Sequence, residues 1–175
     1  MSKQPAAPKV GNLNDLLAVA YQIEIDAVDR YKLLADQMET HNNPELTKVF
    51  RDLARAEGIH GEEIRRMAGD FDVAAHAREI AKFAGESPEE ADMGEAHYRM
   101  TPWHALQLSL AGEERALAYF TSIAETAKDE KVKALAEELV EEEAEHVQLV
   151  HKLLRRYPKP AENWAEDLDP PQSLE

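Results

Sequence analysis

One pattern of residues occurs twice in this sequence and constrains its fold more than any other feature. The first copy has Glu24, an Ala three residues later and an aromatic residue seven residues later, and the second copy repeats these offsets from Glu113. A Glu-x-x-His motif follows each copy, beginning at Glu57, 33 residues after Glu24, and at Glu143, 30 residues after Glu113. Because residues three, four and seven apart share one face of a helix, the pattern predicts a duplicated helical hairpin.

Apolar residues recur at three- and four-residue spacings along almost the whole chain, as is typical of amphipathic helices. Capping residues and prolines mark the breaks between them. These breaks are Asn12 or Asn14 before the first helix, His41–Pro44 before the second, Thr101–Pro102 before the third and Lys128–Glu130 before the fourth. The predicted fold class is therefore all-α, with four long helices in two antiparallel hairpins.

The predicted organisation is one domain with a tail at each end. Residues 1–11 form the N-terminal tail, residues 12–157 the helical bundle, and residues 158–175 an extended, proline-containing C-terminal tail. A crossover over about residues 70–102 joins the two hairpins, and a short helix is expected within it at Phe71–Phe83. Two hairpins joined by one long connection are typical of a ferritin-like four-helix bundle.

Composition excludes several classes of function. The chain carries 20 Lys and Arg against 35 Asp and Glu, a net charge of −15, and so lacks the basic surface that binds nucleic acid. It has no Cys, which excludes disulfides and thiolate metal sites. No leader or apolar segment of membrane-spanning length is visible, so we expect a cytoplasmic protein with no membrane partner.

Six residues with metal-binding side chains lie in the middle of apolar helix faces. At 1.5 Å per residue, the Glu residues of each hairpin lie roughly 20–28 Å from their turn and so meet at the same height. Four ionised carboxylates inside a bundle are costly, and two divalent cations would neutralise them. Carboxylates with one imidazole per metal suit iron or manganese. The predicted metal ligands are Glu24, Glu57, His60, Glu113, Glu143 and His146.

Three residues are open to a second interpretation. Chance alone would produce about one Glu-x-x-His pair in so acidic a chain, so the evidence for a metal site is the position of the two pairs within apolar helix faces. Glu114 remains an alternative to Glu113, and Glu142 to Glu143. Tyr31 is either a hydrogen-bond donor or radical relay beside the metals or, as we favour, a core aromatic residue.

The sequence resembles the rubrerythrin-like branch of the ferritin superfamily over about residues 12–157. The motifs that carry the resemblance are Glu24–Tyr31, Glu57-x-x-His60, Ala111–Glu113 and Glu143-x-x-His146. It implies a site of two Fe ions, bridged by Glu57 and Glu143, with the other four predicted residues as terminal ligands. Manganese is the alternative metal.

The sequence departs from the family pattern in two respects. Rubrerythrins usually carry a rubredoxin domain that holds iron on four Cys, and this chain, without Cys, lacks that domain's electron relay. They also have a further Glu three residues after the position of Glu113, where this chain has Ala116. A site with six ligands is also similar to the ferroxidase centre of bacterioferritins.

The resemblance implies a non-haem di-iron oxidoreductase that reduces hydrogen peroxide or dioxygen with electrons from Fe(II). An external electron donor would then restore the reduced state. The alternative function is a ferroxidase or iron-handling protein that stores or transfers iron. A substrate hydroxylase and a bundle with a vestigial site remain open as well. We expect a homo-oligomer, with a dimer favoured.

Overall fold

The computed structural model describes residues 8–84 and 100–161, and all the regular secondary structure in these two ranges is helical. The described residues form five helices: α1 (Leu13–Thr40), α2 (Pro44–Ala68), α3 (Val73–Ala84), α4 (Pro102–Thr126) and α5 (Glu130–Leu154). The predicted all-α, ferritin-like bundle is therefore confirmed. The four long helices are α1, α2, α4 and α5, and α3 is the short helix predicted within the crossover.

Local sequence signals set the ends of the helices. The Asn12 side chain accepts a hydrogen bond from the backbone N–H of Asp15 at 3.0 Å, and Asn43 caps α2 in the same way through Leu46. Proline occupies the first turn of both α2 and α4. Gly69 ends α2 with a φ of 60°, a conformation that glycine adopts without strain.

Three-residue turns connect the helices of each hairpin, and such short turns force the helices to run antiparallel. The helix α3 packs beside α1, where the His76 ring lies 2.9 Å from a carboxylate oxygen of Asp15. Residues 85–99 of the predicted crossover lie outside the described residues, as does most of the C-terminal tail. The division into tails and bundle stays a prediction.

Two apolar clusters fill the bundle, one above the other. The first contains Leu16–Ile23 of α1 and the buried faces of α4 and α5 from Ala116 and Leu139 toward their shared turn. The second contains buried residues of α1 from Ala27 to Met38 and the face of α2 around Phe50. Each long helix contributes to both clusters, and its predicted Glu lies between them. The fold thus places an acidic layer across a largely apolar core.

The last helix ends at Leu154, and the chain continues as turns to Tyr157. Met67 is 57% exposed because it lies in the last turn of α2, beyond the contacts of the core. No described helix combines the length and the apolarity needed to cross a membrane.

Candidate metal centre

Each long helix contributes one buried carboxylate to the acidic layer. The four residues that carry them are at most 5% exposed, and they are Glu24, Glu57, Glu113 and Glu143. Removing a carboxylate from water costs several kcal/mol unless a cation or hydrogen bonds compensate. The layer therefore requires positive charge within reach of its oxygens.

The imidazole of His146 lies among three of these carboxylates. Its Nδ1 atom is 3.2 Å from Oε1 of Glu57, 3.4 Å from Oε2 of Glu113 and 3.9 Å from Oε2 of Glu143. The side chain is 14% exposed. His146 thus belongs to the end of the layer formed by α4 and α5.

The imidazole of His60 lies at the other end of the layer. Its Nδ1 atom is 3.4 Å from Oε2 of Glu57 and 3.9 Å from Oε2 of Glu24, and its side chain is 22% exposed. The two imidazole rings stack with centroids 5.7 Å apart and planes inclined by 13°. Glu57 therefore presents one oxygen to each imidazole and lies between the two ends.

The donor atoms form three overlapping groups in which all members lie within 4.8 Å of one another. The groups are Glu24, His60 and Glu142; Glu57, His60 and His146; and Glu113, Glu143 and His146. The structure thus brings all six predicted residues together and adds Glu142.

The polar atoms of this layer fit metal ligands. In the described ranges, Oε1 of Glu57 and Nδ1 of both imidazoles are buried and make no hydrogen bond. Buried polar atoms normally have hydrogen-bond partners. These three instead lie near other side-chain atoms that could bind a metal. Carboxylate oxygens with imidazole nitrogens are the donor set that iron and manganese accept. The residues therefore fit a pair of divalent cations.

The two alternative carboxylates behave differently. Glu114 is 55% exposed and lies 3.9 Å from Nε2 of His151, away from the layer. Glu142 is half-buried and approaches Glu24 and His60, whereas Glu143 approaches Glu113 and His146. Adjacent residues of α5 thus reach opposite ends of the layer, and Glu142 adds a carboxylate rather than taking the position of Glu143.

Tyr31 contacts the layer from α1. Its hydroxyl donates a hydrogen bond to Oε1 of Glu113, and its oxygen lies 2.9 Å from the hydroxyl of Ser109. Because the single Tyr31 proton is directed at Glu113, the Ser109 hydroxyl donates to the Tyr31 oxygen. Its ring is fully buried and stacks on Phe50 at 5.9 Å. Tyr31 is therefore both a core aromatic residue and a hydrogen-bond donor to a predicted metal ligand.

The charges of the layer move several pKa values away from their ordinary range. Burial acts to raise the pKa of Glu113, but its contact with His146 and the charge of Arg30 lower it to about 2. Burial acts to lower the pKa of His146, but contact with Glu113 and the surrounding carboxylates raise it to about 9. Contact with Glu57 raises the pKa of His60. In the metal-free chain, protonated His146 thus serves as a counter-ion, and a metal binding there releases its proton.

The metal-free protein should lose stability as the pH rises above neutrality. The pKa of His146 is raised from 6.5 to about 9, so its contribution is complete below 6.5 and disappears as the pH passes through 9. The pKa of Glu113 is lowered from 4.5 to about 2, so its contribution is complete above 4.5 and is lost toward 2. Both contributions are complete between pH 4.5 and pH 6.5. The free energy of unfolding that is lost at alkaline pH is on the order of 1–3 kcal/mol.

Urea unfolding of chelator-treated protein across this pH range measures the effect. His146→Gln should remove the alkaline decline, whereas the same change at the half-exposed His151 should leave it in place. A free energy of unfolding that stays constant from pH 6.5 to pH 9 would contradict the assignment of His146 as counter-ion.

Sequence reasoning missed two contributors to the layer. Arg30 is 4% exposed and donates a hydrogen bond from Nη2 to Oε1 of Glu113 at 2.8 Å. Gly112 supplies the space in which the guanidinium lies. The available signal was an Arg directly before Tyr31 on an apolar helix face, together with a glycine directly before a predicted ligand.

Comparisons with known proteins agree with the fold. The family model described as Rubrerythrin matches residues 15–96 and 104–169. A crystal structure at 2.00 Å of an uncharacterized conserved protein from Magnetospirillum magnetotacticum MS-1 is similar, with a TM-score of 0.72. The two chains are 35% identical, and the match covers 86% of this chain and 98% of that one. No curated protein matches significantly. Because the family model spans most of the sequence, the resemblance is confirmed, and the chain belongs to the rubrerythrin family of ferritin-like di-iron proteins.

Proposed function

We propose that this protein is a di-iron oxidoreductase that reduces hydrogen peroxide or dioxygen with electrons from Fe(II). The observation that carries the proposal is the position of Glu57, which presents one oxygen to His60 and the other to His146 between two groups of buried donors. A carboxylate with its oxygens directed to two sides suits a bridge between two metals.

The proposed ligand set follows the two ends of the layer. Glu24 and His60 would hold one metal, Glu113 and His146 would hold the other, and Glu57 would bridge them. The oxygen of Glu143 lies with the donor atoms of Glu113 and His146, so its role as the second bridge rests on the family resemblance. We place Glu142 as an additional carboxylate at the end of Glu24 and His60, since its oxygen lies within 4.8 Å of their donor atoms. The four predicted carboxylates alone balance the charge of two divalent cations, and Glu142 adds a fifth negative charge.

When bound, two Fe(II) ions would supply one electron each. Two electrons and two protons reduce hydrogen peroxide to two molecules of water. The residues of the chain provide the environment for that chemistry. The apolar clusters on both sides of the layer exclude bulk water. The exposed parts of the His60 and His146 side chains mark the side from which a molecule as small as peroxide would approach.

Tyr31 holds Glu113 in place. Burial and the charge of Glu113 raise the pKa of Tyr31 well above its ordinary value, so the hydroxyl keeps its proton and continues to donate. The electron donor is external in this proposal, because the sequence has no Cys with which to hold a rubredoxin-type iron. Ala116, where rubrerythrins usually have a further Glu, is fully buried and has no side-chain oxygen.

The test is metal analysis followed by single-turnover kinetics. Protein purified without chelators should contain two Fe ions per chain, and the Fe(II) form should be oxidised by hydrogen peroxide in a stopped-flow experiment. Retention of many more than two iron ions per chain would instead support the ferroxidase or iron-handling function. Protein that binds neither Fe(II) nor Mn(II) would refute both.

A further inference from the structure

Arg30 is a cation buried beside the acidic layer. Its side chain is 3% exposed, its Nη2 atom donates to Oε1 of Glu113 at 2.8 Å, and its guanidinium carbon lies 4.8 Å from the centroid of the Tyr31 ring. A guanidinium keeps its charge at every pH at which the protein is folded. The layer therefore contains a permanent positive charge in addition to its carboxylates.

Gly112 leaves space for the guanidinium of Arg30. A Cβ atom at position 112 would lie 2.3 Å from Nη1 of Arg30 and 2.6 Å from its guanidinium carbon, distances that real side chains do not adopt. Glycine in the interior of a helix weakens the helix, so its presence in the middle of α4 calls for a packing reason. Accommodation of Arg30 supplies that reason.

Arg30 and Gly112 both depart from the internal repeat. Arg30 lies six residues after Glu24, and the equivalent residue after Glu113 is Tyr119, whose hydroxyl donates instead to the carbonyl of Pro8 at 2.9 Å. Gly112 directly precedes Glu113, whereas the residue before Glu24 is Ile23. The cation and the space for it therefore belong to one end of the layer, and the two ends are unequal.

Two consequences follow for a bound metal pair. Arg30 and Tyr31 both donate to Oε1 of Glu113, so Oε2, which lies 3.4 Å from Nδ1 of His146, is the oxygen left to face a metal. In addition, a guanidinium held beside a ligand opposes each further positive charge placed on the metals, and it does so strongly in a core of low dielectric.

We propose that Arg30 is a positioning residue that confines Glu113 to binding through one oxygen and biases the metal pair toward its divalent state. This inference rests on the proposed function, because it concerns the same centre. It adds a residue and a property that the ligand set does not contain. It predicts that the divalent state of the metal pair is favoured more strongly with Arg30 present than without it.

The test compares the reduction potential of the iron-loaded wild-type protein with those of Arg30→Met, Arg30→Lys and Gly112→Ala. At a fixed electrode potential, Arg30→Met should shift the ratio of oxidised to reduced centres at least tenfold toward the oxidised form. Gly112→Ala should shift it in the same direction, since the added methyl group displaces the guanidinium. Arg30→Lys keeps the charge and should stay close to wild type.

The number of metal ions bound per chain distinguishes a failure of the proposed function from a failure of this inference. If wild type binds no metal, the proposed function fails and this inference fails with it. If wild type binds two metals but Arg30→Met has an unchanged or more reduced ratio, the inference alone is wrong. Should Arg30→Met not fold, Gly112→Ala provides the same comparison with all ligands intact. An unchanged ratio in Gly112→Ala would then overturn the inference.

Discussion

Protein carrying Glu57→Gln should bind fewer than two metal ions per chain. The change keeps the shape of the side chain but removes the charge that faces both imidazoles, at 3.4 Å from His60 and 3.2 Å from His146. A neutral amide is a poor ligand for iron or manganese compared with a carboxylate. Elemental analysis of protein purified without chelators measures the loss directly.

The same variant should lose the stabilisation that metals confer. A metal present at 100 times its dissociation constant stabilises a protein by about 2.7 kcal/mol. Addition of Mn(II) should therefore raise the free energy of unfolding of wild type by an amount of that order and leave Glu57→Gln almost unchanged. Glu62→Gln is the matched control, because Glu62 lies on the same helix with its side chain exposed.

A comparison of Glu142→Gln and Glu143→Gln tests the two neighbouring carboxylates of α5. We expect Glu143→Gln to prevent loading of two metals and Glu142→Gln to preserve two metals with weaker binding. The reverse result would assign the bridge to Glu142. Two metals in Glu57→Gln or in Glu143→Gln would show that the bridging assignment is wrong.

Replacement of Phe50 with Ala should lower the free energy of unfolding by about 3–5 kcal/mol. Phe50 is fully buried on α2 and stacks on Tyr31, with centroids 5.9 Å apart. The truncation removes most of the apolar area of the side chain and leaves a cavity in the second apolar cluster. A loss of this size is a large fraction of the stability of a typical domain.

Urea unfolding of metal-free protein measures this effect without the contribution of metals. Leu33→Ala is a suitable control, since Leu33 on α1 is 38% exposed and its truncation should cost well under 2 kcal/mol. Phe50→Leu should lie between the two because it fills part of the cavity. Equal losses for Phe50→Ala and Leu33→Ala would contradict the described core.

The predicted ligand positions depended on helix geometry, which is local. An α-helix brings residues three and seven apart onto one face, so the spacing from Glu24 to Tyr31 already indicated which side chains share a side. The alignment of the internal repeat preferred Glu113 to Glu114, and in the structure Glu113 is buried while Glu114 is exposed. Whether these residues bind metal stays a prediction.

The same alignment preferred Glu143 to Glu142, but it did not show that both carboxylates reach the layer. Adjacent helix residues point about 100° apart, and both directions can face the interior when a helix has neighbours on two sides. In the structure, Glu142 approaches one end of the layer and Glu143 the other. The packing of α5 among the other helices, and no property of α5 alone, produces that division.

The sequence by itself determined the all-α class, the caps of the helices and the set of inward carboxylates and imidazoles, because each of these depends on interactions within a few residues. The tertiary structure alone decided the pairing of Arg30 with Glu113, two residues 83 positions apart. That contact requires α1 and α4 to pack at one rotation, with Gly112 opposite the guanidinium. Local periodicity carries no information about such a long-range fit, whereas the packed core does.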